Sequence, residues 1–199
     1  MPRLSRILAA TAVAALGGAA AYYLRERRTP EPDYRLVRQD GAFEVRDYPA
    51  MVVAEVETIG SRERALGSGF RRLANYIFAK DRAGEQIAMT APVLQDRAGG
   101  EPAWRTRFVM PEGESEASLP EPAAGVALAA VPARRVAAIR FSGSNDDAAL
   151  HRRESELGHW MEEAGLQPIG GFEYAFYNSP FIPAPLRRNE VLVPVSAGA

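Results

Sequence analysis

Two stretches of this 199-residue chain resemble each other: "YPAMVVAEVETIGS" at residues 48–61 and "VPARRVAAIRFSGS" at residues 131–144. They lie 83 residues apart, the difference between 48 and 131, and they share six identical residues, including a proline and a glycine-serine pair. The same offset places "FVMP" at residues 108–111 onto "VLVP" at residues 191–194. An offset shared by both ends of a segment predicts an internal duplication.

Each repeat has the pattern of a β-β-α-β-β unit. In the first, "FEVRDYPAMVVAEVE" from residue 43 alternates in polarity, which predicts a strand, a kink at Pro49 and a second strand. Ser61 then suits a helix N-cap. The helix that follows has an apolar stripe of Leu66, Phe70, Leu73 and Ile77. "IAMTAPVL" from residue 87 and "WRTRFVMP" from residue 104 are the next two predicted strands.

The second repeat follows the same order, and its helix has an apolar stripe of Leu150, Leu157, Trp160, Met161 and Ala164. Neither unit alone can bury both its helix and its sheet face. We therefore expect one α+β domain over residues 34–195, with repeat halves at about 42–111 and 125–194. The predicted fold is a distorted eight-stranded antiparallel β-barrel flanked by two helices. The acidic, proline-rich segment 111–125 is predicted to be a mobile connecting loop.

Residues 1–33 are predicted to lie outside this domain as an N-terminal segment and a tether. The run 7–24 contains no charged residue, is barely long enough to cross a bilayer, and has arginines on both sides. It predicts either a retained signal anchor or a secretory signal cleaved near Ala21. Because arginines directly after a cleavage point would hinder export, membrane anchoring through residues 7–24 is the favoured localisation, with the side left open.

The composition argues against several classes of function. The net charge is −1 with both signs interspersed, so nucleic acid is not an expected partner. The chain has no cysteine, which excludes disulfides, thiolate zinc sites, iron–sulfur clusters and cysteine nucleophiles. No nucleophile elbow, phosphate loop or metal-binding histidine pair is present in the sequence. We therefore expect a protein that is not an enzyme.

Four blocks of the sequence carry a resemblance to a known family. They begin at residues 34, 60, 131 and 171, and include "IAMTAPV" and "YNSPF" followed by "RRNEV". Over about residues 34–195 the chain resembles the SOUL haem-binding proteins. The resemblance implies a distorted antiparallel barrel with two flanking helices, and it implies binding of haem or a related tetrapyrrole.

A haem site needs an apolar seat and cations for the propionates. The resemblance implies that the ligand lies against the first helix. One residue away from the apolar stripe, Gly67, Arg71, Ala74 and Phe78 could form a flat seat, with Arg72 beside it; the alternative is the partly exposed shoulder of an amphipathic helix. Arg187 and Arg188 could close over an anionic ligand, or could pair with acidic residues to hold the last strand.

Axial ligands for the iron are scarce in the sequence. His151 and His159 are expected to be solvated helix residues, and Met89 in "GEQIAMTAPVLQ" is expected to be a core residue. Some haem-binding relatives are thought to use a histidine on the early strand, where this chain has Pro49. Haem is therefore predicted as a ligand, without a metal site formed by the protein itself.

The predicted function is non-catalytic binding of haem or a porphyrin by a membrane-tethered domain, for haem buffering or delivery. Two alternatives stay open at this point. One is a binding module for another amphipathic small molecule or a protein partner. The other is an enzyme that modifies tetrapyrroles.

Overall fold

The computed structural model describes residues 22–99 and 102–196. In chain order the strands are β1 (Arg35–Asp40), β2 (Phe43–Tyr48), β3 (Met51–Ile59), β4 (Val93–Arg97), β5 (Ala103–Val109), β6 (Ala127–Val131), β7 (Arg134–Phe141), β8 (Glu173–Phe176) and β9 (Asn189–Val195). The helical segments are α1 (residues 22–26), α2 (Arg62–Ile77), α3 (Asp147–Glu163) and a short 3-10 turn, Ala184–Leu186.

All nine strands of the described residues belong to one antiparallel sheet with the order β1-β2-β7-β9-β8-β4-β5-β3-β6. The predicted α+β class is therefore confirmed. The sheet has one strand more than expected, because β1 adds to the edge beside β2. Within the described residues β1 and β6 each pair on one side only, so the sheet is open and the barrel is approximate.

Chain connectivity forces this open sheet to curl. Tyr48 ends β2 and Met51 begins β3, yet these strands stand second and eighth in the sheet. Three residues span at most about 11 Å, whereas six strand spacings in a flat sheet amount to about 29 Å. The two ends of the sheet must therefore approach each other at the Pro49 corner. A matching corner joins β6 to β7 at Val131 and Arg134.

The strand ladders show how the two halves correspond. Val53 pairs with Val109, and Val136, which lies 83 positions after Val53, pairs with Pro194. Pro194 lies 85 positions after Val109. The strands β5 and β9 therefore correspond at an offset of 85 residues, two more than the offset of 83 between "FVMP" and "VLVP". A shift of two preserves which face each side chain occupies. The proposed repeat and domain bounds stay a prediction.

Helices α2 and α3 cover the outer face of the sheet. Helix α3 buries the predicted stripe, with Leu157 fully buried at its centre. Helix α2 is rotated relative to its prediction: Leu66 is half-buried and Phe70 is 40% exposed, whereas Gly69 faces β5. A Cβ at Gly69 would lie 2.6 Å from Thr106 Oγ1. Leu73 and Ile77 of the predicted stripe are buried, whereas Leu66 and Phe70 are rotated outward because the helix packs through Gly69.

The predicted strand over "IAMTAPVL" was also wrong in its bounds, since β4 begins only at Val93, after Pro92. The backbone before Pro92 bonds elsewhere. The amide of Ile87 donates to the Ile77 carbonyl at the end of α2, and the amide of Ala91 donates to the Pro30 carbonyl. These residues therefore connect the helix, the N-terminal segment and the sheet.

The N-terminal prediction needs a correction. In the part of the chain that the structure describes, no helix is both long enough and apolar enough to span a bilayer. Residues 22–24, the end of the predicted membrane segment 7–24, belong instead to α1, in which Tyr22 hydrogen-bonds Ser179 of the folded domain. Residues 7–21 and the cleavage site near Ala21 lie outside the described residues. This finding contradicts the predicted membrane-anchored localisation.

Candidate functional site

The predicted seat lies on an uncovered shoulder of α2. Gly67 and Ala74 are half-buried, and Arg71 is exposed. A Cβ built on Gly67 would meet only Arg71 Nη1, at 4.0 Å. Phe70 and Phe78 are 40% and 38% exposed. Their spacing of eight residues places them about 12 Å apart along the helix, with Ala74 between them and Gly67 about 4.5 Å before Phe70.

The two neighbouring arginines of this shoulder have different surroundings. Arg72 Nη2 donates to the Gly125 carbonyl at 2.7 Å, which ties Arg72 to the connecting loop. Arg71 makes no ion pair or side-chain hydrogen bond with any other residue that the structure describes. Of these two arginines, Arg71 is therefore the one available to a ligand.

The connecting loop 111–125 packs against α2 instead of extending into solvent. Leu119 is buried in the apolar cluster beneath the helix. The Tyr76 hydroxyl donates to the Pro120 carbonyl at 2.7 Å. An apolar anchor and two hydrogen bonds from α2 hold this loop against the helix, and its mobility stays a prediction.

Arg187 and Arg188 are not brought to this shoulder. They precede β9, three strands from β5 in the sheet, whereas α2 packs on β3 and β5. Arg187 donates to the carbonyls of Ile182 and Pro180 within its own loop. Arg188 is ion-paired with Glu190 and Glu31. The second sequence interpretation, pairing that holds the last strand, describes Arg188.

A buried ion cluster surrounds Glu190, and the sequence predicted only the pairing of Arg188, as one of two alternatives. This carboxylate is fully buried on the inner face of the curled sheet. It accepts hydrogen bonds from Arg46 at 2.6 and 3.1 Å, from Arg188 at 3.0 and 2.9 Å, and from the Tyr177 hydroxyl at 2.9 Å. Burial alone would raise the pKa of Glu190, but the two guanidinium groups outweigh it and lower this pKa. Burial raises the pKa of neighbouring Tyr48 to about 12.

A second ion cluster lies on the same face of the sheet. Arg107 Nη2 is 2.9 Å from Asp96 Oδ1 and 3.1 Å from Glu173 Oε2. Arg134 also pairs with Glu173, and Arg105 pairs with Asp96. Burial would raise the pKa of Glu173, but Arg134 and Arg107 lower it. Between the two ion clusters the inner face of the sheet is apolar. The two clusters therefore border a small inner core of apolar residues.

These buried carboxylates predict acid sensitivity. The pKa values of Glu190 and Glu173 are lowered from 4.5 in the folded protein, so their stabilisation is present above the unfolded value and is lost as the pH falls through the folded values. We expect the free energy of unfolding, measured by urea titration, to fall between about pH 5 and pH 2. Glu173→Gln should flatten that dependence. An equal slope in Glu173→Gln and in the unchanged protein would contradict this assignment.

Residues with metal-binding chemistry do not converge. Among the described residues no group of three or more histidine, cysteine, aspartate or glutamate side chains could hold a metal ion. His151 lies 2.7 Å from Glu154 and His159 lies 3.4 Å from Glu163, and both histidines are exposed on α3. Met89 is half-buried against the apolar cluster beneath α2. Their placement agrees with solvated and core positions, as predicted.

Comparison with known proteins gives one family and a group of similar folds. The family described as SOUL heme-binding protein matches residues 29–194. No curated protein matches the sequence significantly.

Similar solved structures include the C-terminal domain of EcmrR, at a TM-score of 0.57 and 13% identity over 82% of this chain and 98% of that chain. An uncharacterized conserved protein from Listeria innocua has a TM-score of 0.55 and 14% identity over 84% and 93%. A hydrolase from Listeria innocua has a TM-score of 0.51 and 15% identity over 86% and 96%. At such identities the likeness shows a shared fold and no shared activity.

Proposed function

Because the chain belongs to the SOUL heme-binding protein family, we propose that it binds haem or a related tetrapyrrole without altering it chemically. The proposed seat is the shoulder of α2 formed by Gly67, Arg71, Ala74 and Phe78, bordered by Phe70. Family membership supports the class of ligand, and the geometry of this helix supports the location.

The observation that carries the location is the combination of exposed aromatic rings, small residues beside them and a cation without a partner among the described residues. Phe70 and Phe78, which flank Ala74 along the helix, each expose more than a third of their surface. A flat macrocycle resting on Gly67 and Ala74 would cover both rings and remove apolar surface from water. Arg71 then stands at the edge, where its guanidinium suits a propionate carboxylate.

The same geometry favours reversible binding over catalysis. The seat is open to solvent on its outer side, since Arg71 and Phe78 are exposed. No histidine lies on α2, and His151 and His159 are on the other long helix. A ligand held by ring contacts and one ion pair can be released or transferred, which fits buffering or delivery of haem.

The prediction that tests this proposal uses Arg71→Glu in an absorbance titration with haem. Replacing the cation by a carboxylate removes one charge-assisted bond and adds repulsion to the propionate, so we expect the Kd to rise by at least about tenfold. The matched control is Arg152→Glu, an exposed arginine of α3 whose side chain makes no hydrogen bond with another described residue. Circular dichroism should show both variants folded.

The outcomes separate the alternatives. Saturable haem binding that weakens in Arg71→Glu and not in Arg152→Glu supports the α2 seat. Absence of saturable haem binding by the unchanged protein would contradict the proposed ligand and favour another amphipathic ligand or a protein partner. Conversion of a bound porphyrin into a new absorbing species would contradict the non-catalytic part of the proposal.

A further inference from the structure

We propose that the groove beside Arg188 is a second binding site, for a small aromatic carboxylate, and that Glu31 is an internal carboxylate that occupies the ligand's place. This site is separate from the α2 shoulder and does not depend on haem binding. Its recognition group is Arg188, which pairs with Glu190 and Glu31.

Arg188 is oriented by the protein without the help of Glu31. Its guanidinium lies 3.6 Å from the centroid of the Tyr177 ring, and its Nε and Nη2 donate to the buried Glu190 at 3.0 and 2.9 Å. The remaining nitrogen, Nη1, donates to both carboxylate oxygens of Glu31, at 3.0 and 2.9 Å. Since the inner contacts fix the guanidinium plane, displacing Glu31 would leave a preoriented donor for another carboxylate.

The groove in front of Arg188 has room for such a ligand. Its volume is about 710 Å³, which is within the range of small-molecule sites. Tyr23, Phe141, Tyr177 and Leu186 provide aromatic and apolar surface on its walls. An aromatic body attached to the carboxylate would contact these walls, whereas Glu31 supplies only the charged group.

The charges around the groove favour an anion. Each acidic side chain on its border already has a partner: Glu26 accepts from the Ser179 amide at 3.2 Å, Glu44 accepts from Arg46 at 2.7 Å, and Glu31 pairs with Arg188. Arg140, also on the border, is exposed, and its side chain makes no hydrogen bond or ion pair with another described residue. The border of the groove carries four arginines and three glutamates, so displacing Glu31 leaves four cations against two anions.

The segment that carries Glu31 is held by few bonds, so displacement is feasible. Besides the contacts of Glu31 and Glu26, the described part of this segment reaches the domain through Tyr22 to Ser179 at 3.1 Å and through the Pro30 carbonyl to Ala91 at 2.8 Å. The Glu31 side chain is 36% exposed. Partly exposed ion pairs are weak, so a ligand that adds ring contacts to the same carboxylate contact can replace Glu31.

The test is a calorimetric titration of the full chain with benzoate and with phenylacetate. Glu31→Gln removes the competing charge and should tighten binding of these probes about three- to tenfold relative to the unchanged protein. Glu112→Gln, an exposed glutamate of the connecting loop, should leave the affinity unchanged. Benzamide, which has the ring without the charge, should not bind. Arg71→Glu should not affect benzoate, which separates this site from the haem seat.

Three results would overturn the proposal. The first is that neither benzoate nor phenylacetate binds the unchanged protein or Glu31→Gln. The second is that benzyltrimethylammonium binds in their place, which would make the acidic residues the recognition groups. The third is an equal affinity of Glu31→Gln and the unchanged protein. Arg188→Lys should weaken binding of benzoate. If Arg188→Lys does not fold, the comparison of Glu31→Gln with the unchanged protein still tests the proposal, because Glu31→Gln leaves the buried ion cluster intact.

Discussion

Glu190→Gln should lower the free energy of unfolding by about 3–5 kcal/mol, because it leaves Arg46 and Arg188 facing each other without their shared carboxylate. Arg46 is 1% exposed and cannot turn to water. The glutamine amide can accept through one oxygen only, whereas the carboxylate accepts five hydrogen bonds from three side chains. Urea denaturation followed by circular dichroism measures the loss.

The control for this prediction is an ion pair of the same kind on the surface. Glu156 lies 2.5 Å from Arg153 on α3 and is 45% exposed. Glu156→Gln should change the free energy of unfolding by less than about 1 kcal/mol. If both variants lose the same small amount, Arg46 and Arg188 have access to other acceptors, and the cluster around Glu190 does not hold the sheet as described.

How much the sequence could predict depends on the sequence distance between interacting residues. The strand–kink–strand at Pro49 and the stripe of α3 follow from local periodicity, and both are present in the structure. The contact between Arg46 and Glu190 spans 144 residues, and the one between Glu31 and Arg188 spans 157. No local pattern indicates which distant charges meet, so the contacts of Arg46 with Glu190 and of Glu31 with Arg188 could not be predicted.

The candidate seat could be predicted from the sequence because its residues are close to one another in the chain. Helical spacing alone places Gly67, Arg71, Ala74 and Phe78 on one line. Sequence alone could not show that Arg72 is held by the connecting loop, or that Arg187 and Arg188 lie three strands away. Those facts follow from the strand order, in which β9 is separated from β5 by β8 and β4.

The rotation of α2 leads to the second large effect. Gly69→Ala should lower the free energy of unfolding by about 1–3 kcal/mol, as overpacking of a tight contact does. The new methyl group would lie 2.6 Å from Thr106 Oγ1 and 2.7 Å from Thr106 Cβ. Thr106 is fully buried in β5, between Val56 and Gln95 of the adjacent strands, and has no free direction in which to move. Thermal or urea unfolding measures the change.

Gly67→Ala, on the same helix, is the matched control and should raise the free energy of unfolding instead of lowering it. A Cβ there meets only the flexible end of Arg71, at 4.0 Å, so the substitution should stabilise the helix by about 0.5–1 kcal/mol. The same methyl group would stand on the floor of the haem seat and should weaken haem binding, whereas Gly69 faces the sheet. A Gly67→Ala variant that binds haem unchanged would remove this floor from the site, and a stabilised Gly69→Ala variant would contradict the close approach of α2 to β5.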